Sequence, residues 1–266
     1  MSDRPKQSRD RKGADNKIGF VNPACATIAL QTSALSRFYG SVEALRGIDL
    51  QVNHHEFVAI VGPSGCGKTT LLSLLSGFDK PTNGSLIRNG QVRTIFQYDG
   101  LFPWLTCAEN IALGLRDFAQ AEREARKARL LDLINLNGFV DRYPHQLSGG
   151  MRQLVELARA IAGRADILLM DEPFSALDYL TRLRMRSELA RLLTEYPRTV
   201  VFVTHDIEEA AQLADRIVVL TEPPGRVRFE HNIAAPRLRT PTDPVVVETV
   251  RTILSEMGMA CTRGSE

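Results

Sequence analysis

The run Gly62-Pro63-Ser64-Gly65-Cys66-Gly67-Lys68-Thr69-Thr70 carries the densest chemistry in the chain. Two glycines separated by four residues, followed by Lys and a hydroxyl residue, form a phosphate-binding pattern. Glycines let successive backbone N–H groups point inward at phosphate oxygens with no Cβ in the way. A helix starting there adds its positive end. Lys68 supplies a point charge to the β- and γ-phosphates, and the Thr69 hydroxyl can ligate Mg²⁺. The flanks have the required order: Glu56–Val61 reads as a buried strand, and Thr69–Ser76 as a helix stopped by Gly77. This loop alone implies a nucleotide and nothing narrower.

Other reactive groups stand at strand ends. Asp166–Met170 reads as a buried parallel strand that runs into Asp171-Glu172. On an extended backbone, adjacent carboxylates point to opposite sides. One can then sit beside Mg²⁺ while the next faces an attacking water, a division that phosphoryl hydrolysis needs. Gln97 ends the strand Val92–Phe96, and His205 ends Thr199–Thr204. Both positions suit the crevice at the carboxyl ends of an α/β sheet; His205 reads as structural or functional. Ser148 is an N-cap candidate for a helix running to Ala162. Its Gly149-Gly150 is either a simple cap or a second phosphate contact. Tyr39 is either a half-buried strand-end tyrosine or a ring that stacks on a purine base. His54-His55 reads as a turn without metal partners nearby.

The elements that position these residues alternate between strands and helices. Ile28–Phe38 and Ile48–Val52 read as the first strands, and Leu86–Arg88 as a short one. Thr106-x-x-Glu109 is a capping box for a helix Ala108–Leu115. Gln120–Ile134 is an amphipathic helix stopped near Gly138. Leu180–Tyr196 is another, with Met185, Leu189, Leu192 and Tyr196 on one face. Ile207–Ala214 is a helix, Ile217–Leu220 a strand, Pro223–Arg226 a turn, and Asp243–Met257 a terminal helix. Phe102-Pro103-Trp104-Leu105 places large apolar groups before the capping box, either for local packing or for a docked partner.

Composition narrows the class. The chain has 266 residues and a net charge of +2. Its first twenty residues hold six Lys/Arg against three Asp, or +3, so the remainder sums to −1. The basicity is a property of a polar tail, which reads as disordered, and nucleic acid is not an expected partner. No apolar run is long enough to span a bilayer. Cys25, Cys66, Cys107 and Cys261 show no C-x-x-C spacing, which argues against a zinc site or disulfide framework.

Taken together and in order, the phosphate loop, Gln97, Leu147–Gln153, Ile167–Glu172, Ser175–Asp178 and His205 resemble the ATP-binding subunit of ABC transporters. The Leu-Ser-Gly-Gly-x-x-Gln stretch is the most specific element. The resemblance covers about residues 28–220. It implies an α/β P-loop NTPase with a RecA-like core sheet, an antiparallel β subdomain and an inserted helical subdomain at about 98–163. The nucleotide-binding domain would span 27–230, after a tail at 1–26 and before an extension at 231–266.

The resemblance also implies roles. Tyr39 would stack on adenine. Gly62 to Thr70 would cradle the phosphates of ATP. Thr69, Gln97 and Asp171 would hold Mg²⁺. Glu172 would be the general base and His205 a γ-phosphate contact, with Lys68 and Gln97 completing the catalytic set. Ser148, Gly149, Gly150, Gln153 and Asp178 would complete the nucleotide contacts, with Ser148 and Gly150 reaching the ATP bound by a second copy. The protein would work as a head-to-tail homodimer at the cytoplasmic face of the inner membrane. Permease subunits would dock near Gln97–Leu105, and a periplasmic or extracellular solute-binding protein would deliver cargo. Leu101–Thr106, Leu180-Thr181-Arg182 and Pro224-Gly225-Arg226 look like the nitrate/sulfonate/taurine importers. An exporter or lipid-trafficking ATPase is the alternative, and a soluble ABC ATPase acting on nucleic acid or ribosomes a more distant one. Two departures stand out: six residues lie between Gly90 and Gln97 where relatives have a longer loop, and Leu154 stands where Arg is usual.

Overall fold

A computed structural model describes residues 27–97, 100–237 and 239–258. The tail at 1–26, with Cys25, and the end of the extension, with Cys261, lie outside the described residues. Nine strands and seven α-helices are found among the described residues. Strands β1 (Ile28–Tyr39), β2 (Val42–Asn53) and β4 (Asn83–Arg88) form an antiparallel sheet in the order β2-β1-β4. The larger sheet has the order β5-β6-β7-β3-β8-β9. Its members are β3 (Phe57–Val61), β5 (Val92–Ile95), β6 (Ile167–Asp171), β7 (Thr199–Val203), β8 (Arg216–Leu220) and β9 (Val227–Asn232). All neighbours in it are parallel except β8–β9.

The central strands are covered on both faces, which is why they read as unbroken apolar runs. Side chains alternate between two cores with the two-residue period of a strand. Phe57, Ala59 and Val61 of β3 join one core, as do Leu168 and Met170 of β6 and Val200 and Phe202 of β7. Val58, Ile60, Ile167, Leu169, Val201 and Val203 join the other. Each Val, Leu, Ile, Phe or Met among them contributes about 1.5–3 kcal/mol when fully buried. The second core lies between the large sheet, α1 (Lys68–Ser76) and the β1–β2 hairpin. The first is covered by α2 (Cys107–Gly114), α4 (Gly149–Ala162), α5 (Tyr179–Glu195) and α6 (Ile207–Leu213).

Helices α2, α3 (Gln120–Leu133) and α4 all fall between β5 and β6. The capping box expected at Thr106 and Glu109 is formed, with Thr106 N donating to Glu109 Oε2 at 2.7 Å. On α5, Met185, Leu189 and Leu192 are buried as their spacing requires. Three readings change. Helix α3 ends before Asn135, whose φ of 55° breaks it, and Gly138 instead lies in a short 3₁₀ turn, Asn137–Phe139. Strand β2 begins at Val42, six residues earlier than Ile48. Strand β9 was not expected at all, and the boundary placed after residue 230 falls inside it.

The C-terminal part is tied to the sheet and to α6. Arg239 is buried among carbonyls: Nη1 donates to Ala211 and Ala214 (2.7 and 2.8 Å), and Nε and Nη2 to Pro236 and Ala235. Cations are favoured at such a helix C-terminus. Helix α7 (Pro244–Glu256) then packs with α6. Among the described residues, no helix is long and apolar enough to cross a membrane.

Candidate functional site

Four adjacent parallel strands deliver the candidate groups to one edge. β3 ends at the phosphate loop, β5 just before Gln97, β6 at Asp171, and β7 just before Thr204-His205. This edge is where α/β sheets of this kind bind ligands. Helix α1 starts from Gly67, whose φ of 96° needs a residue without Cβ. Lys68 is buried, and its Nζ donates to the Gly62 and Pro63 carbonyls at 2.9 and 3.0 Å. The ammonium is therefore held across the loop at its own base. Ser64, Gly65 and Thr69 are exposed, while Gly62 and Cys66 are buried and Pro63, Gly67 and Thr70 are half-buried. Burial raises the Cys66 thiol above its usual range against the pull of Lys68, which leaves it a neutral packing group.

The Asp171 carboxyl stands close enough to the Thr69 hydroxyl for the hydroxyl to act on its charge. Burial pushes its carboxyl upward, Glu172 adds to that, and Thr69 and Lys68 oppose it. A half-buried carboxylate beside a hydroxyl oxygen is the hard-donor pair that Mg²⁺ takes together with phosphate oxygens. No cluster of three or more His, Cys, Asp or Glu suited to a metal occurs among the described residues. Thr69 and Asp171 thus fit a cation shared with a substrate's phosphates.

Glu172 departs from the expected geometry. Its φ is 44°, so it does not continue the extended backbone of Asp171, and the two carboxylates diverge through a left-handed residue instead of strand alternation. Such a conformation costs about 1–3 kcal/mol and survives only where neighbours enforce it. Here Glu172 N donates to Val203 O (2.9 Å), while Ser175 N and Oγ both donate to Glu172 O (3.2 and 3.0 Å). The carboxylate meets His205, with Glu172 Oε2 at 3.0 Å from Nδ1. Gln97 Nε2 donates to Ser175 Oγ at 3.2 Å. One hydroxyl therefore joins the end of β5 to the loop after β6.

Residues around His205 form a support that strand-end reasoning missed. Asp206 caps α6 through Glu209 N (3.1 Å). It also pairs with Arg186 (2.6 Å) and Arg182 (3.4 Å) on α5. Arg182 further donates to Leu177 O at 3.1 Å, tying the segment after Glu172 to the one holding His205. The signal available was Asp206 at an N-cap position, and Arg182 and Arg186 one turn apart on α5.

The remaining candidates lie elsewhere in the molecule. Tyr39 is 46% exposed. Its hydroxyl donates to Asp79 (2.7 Å) and the Arg37 guanidinium lies 4.5 Å from its ring centre, so the ring is held in place. Ser148 caps α4 through Met151 N (3.3 Å), Gly149 is exposed, and a Cβ on Gly150 would come within 2.8 Å of Thr181. Asp178 caps α5 through Thr181 N (3.0 Å). Gln153 is buried, with no hydrogen-bond partner for its Nε2. Trp104, 68% exposed, and Phe102, 41%, lie in the turn before α2 with ring centres 5.3 Å apart and the Arg159 guanidinium 5.8 Å from the Phe102 ring, so they pack locally and still leave apolar surface open.

A phosphate loop between β3 and α1, with acid, amide and imidazole groups on neighbouring strand ends, defines a P-loop nucleotide-binding protein. Residues 45–175 match the family model described as ABC transporter. The aliphatic sulfonates import ATP-binding protein of Agrobacterium fabrum is 40% identical over 249 residues, covering 92% of this chain and 90% of that protein. The bicarbonate transport ATP-binding protein of Synechococcus elongatus is 47% identical over 194 residues, covering 68% of this chain; the chain spans 29% of that relative's length. A solved dimeric ATP-binding cassette in a post-hydrolysis state with ADP and Pi is 32% identical, with a TM-score of 0.65 over 78% of this chain and all of that one. The chain belongs to the ATP-binding proteins of the ABC transporter family.

Proposed function

We propose that the chain is the ATP-hydrolysing subunit of an ABC importer for a small anion, such as a sulfonate, nitrate or bicarbonate. What supports hydrolysis most is the Glu172–His205 pair beside the phosphate loop, in a backbone that several hydrogen bonds force away from the strand. In this reading the amides of Gly62–Thr70 and the Lys68 ammonium hold the β- and γ-phosphates. Binding would move the ammonium from the Gly62 and Pro63 carbonyls to phosphate oxygens. Thr69, Asp171 and Gln97 would hold Mg²⁺, which would supply charge neutralisation to the phosphates. Glu172 takes the proton of the attacking water, and His205 holds the γ-phosphate side of the site while orienting that carboxylate. Tyr39 carries the adenine.

Ser148 and Gly149 leave the start of α4 exposed. In the homodimer, Ser148, Gly149 and Gly150 of each copy would cover the ATP of the other, with Gln153 and Asp178 behind them. Closure and reopening of the pair would drive membrane subunits docked at the Phe102–Trp104 surface, with a solute-binding protein delivering cargo. The protein would sit on the cytoplasmic side of the membrane. The anion assignment draws on the sulfonate relative, which aligns along nearly its whole length; a relative named for spermidine/putrescine import aligns over 61% of its own. The test has two parts. ATP with Mg²⁺ should convert the Glu172→Gln protein from monomer to dimer in size-exclusion chromatography; a persistent monomer refutes the sandwich. Vesicles carrying the complete transporter should take up labelled taurine, nitrate or bicarbonate; uptake of putrescine alone refutes the anion assignment.

A further inference from the structure

Cys66 and Gly67, the two residues before Lys68, are enclosed by segments distant in sequence. One is Ala44-Leu45 of β2. A Cβ on Gly67 would lie 2.7 Å from Leu45 Cδ2 and 2.9 Å from the Ala44 carbonyl oxygen. Leu45 is fully buried, so it does not swing aside. The other is the turn that follows β8. A Cβ on Gly225 would lie 2.1 Å from the Cys66 carbonyl oxygen. That is a backbone atom, and only backbone movement would relieve the overlap.

The turn is anchored on both sides. Gly225 N donates to the Ala44 carbonyl, and Arg46 N donates to the Gly225 carbonyl, both at 3.0 Å. Thr221 N donates to the Arg226 carbonyl (2.9 Å), and Arg226 N to Thr221 Oγ1 (3.0 Å), closing the turn on itself. At its start, Leu220 O would lie 3.1 Å from a Cβ on Gly62. The turn thus meets the phosphate loop at its first glycine and again beside its last.

We propose that Gly225 is a positioning residue for ATP binding. The absent side chain lets the 221–226 turn seat against the Cys66 peptide. With Ala44-Leu45 it forms a clasp that fixes the peptides at 66 and 67, and so aims the amides that receive phosphate. This rests on the ATP-binding reading above. A phosphate cradle depends on the direction of several N–H groups at once, and losing one hydrogen bond to a charged group weakens binding roughly tenfold or more. Gly225 is not among the glycines with positive φ, so alanine there probes contact with Cys66 and not backbone conformation.

The experiment titrates a fluorescent ATP analogue with Mg²⁺ into wild type, Gly225→Ala, Leu45→Val and Gly138→Ala, each checked for folding by circular dichroism at the assay temperature. Gly138 meets nothing within 4 Å and controls for the substitution itself. Folded Gly225→Ala should bind at least about tenfold more weakly, Leu45→Val several-fold more weakly, and Gly138→Ala like wild type. Leu45→Val keeps the clasp testable if Gly225→Ala does not fold. Wild-type affinity in the folded Gly225→Ala protein, or in Leu45→Val where the alanine variant is unfolded, overturns the clasp and leaves the ATPase reading standing. A wild type that binds no ATP overturns both.

Discussion

Two helices in this molecule begin on glycines, and they are built to opposite plans. Helix α1 starts from Gly67 in a left-handed conformation, without a side-chain cap, with its lysine buried under the loop. Helix α4 starts from Ser148 in an extended conformation with an ordinary hydroxyl cap, and Gly149 lies exposed. The first is enclosed by β2, β3 and the turn after β8. The second faces outward beside Leu177 and Thr181 at the start of α5. One glycine start is enclosed by the rest of its own chain; the other is left open on the surface. In the homodimer proposed above, each ATP would lie between the α1 start of one copy and the α4 start of the other, and a monomer would not turn over.

The sharpest way to break that contrast is at the chemistry both helices would serve. Glu172→Gln should lower ATP turnover by about 10²–10⁴-fold while nucleotide affinity persists; normal turnover in a phosphate-release assay removes Glu172 from the base role. Gly150→Val places a branched side chain where even a Cβ lies 2.8 Å from Thr181. It should leave monomeric ATP binding at α1 unchanged and abolish dimer-dependent hydrolysis. Mixing it with Lys68→Ala should restore part of the activity, because one of the two composite sites then carries no defect. No recovery at any mixing ratio contradicts a head-to-tail pair. Lys68→Ala alone removes a charge-assisted contact of about 1.5–3 kcal/mol, so ATP affinity measured by calorimetry should fall roughly ten- to a hundredfold.

The smallest effect concerns stability. Burial raises the Asp171 carboxyl above 3.8 in the folded protein. The fold therefore favours the protonated form. This group's contribution is fully present below the unfolded value and is lost as pH rises through the folded one. Asp171→Asn should accordingly melt higher than wild type at pH 7 without nucleotide, and the gain should vanish as pH falls below about 4. A lower melting temperature for Asp171→Asn at pH 7 would contradict a carboxylate whose charged form burial disfavours.

Much of this contrast is written in the residues. Phosphate chemistry dictates residue type at Gly62–Thr70, and burial on both faces leaves β3, β6 and β7 as plain apolar runs. The losses have physical causes. Strand β9 is an antiparallel edge that alternates half-buried and exposed positions, with Arg228, Glu230 and Asn232 outward, so it lacks an apolar run. Asn135 ends α3 because asparagine tolerates the left-handed region, a tolerance less visible in sequence than Gly138 three residues on. The turn at Glu172 is imposed by Val203 and Ser175 from outside the dipeptide, so local propensity carries no trace of it. The Asp206–Arg182–Arg186 support joins two helices through packing, and spacing alone does not pair them.

The carbonyls gathered by Arg239 have a practical corollary. They close the end of α6, the helix that begins two residues after His205. A C-terminal trim that removed this guanidinium would loosen the scaffold behind the imidazole, although the cut lies far along the chain. Any affinity handle or fused carrier for biochemical work is therefore better appended beyond α7 than substituted for it.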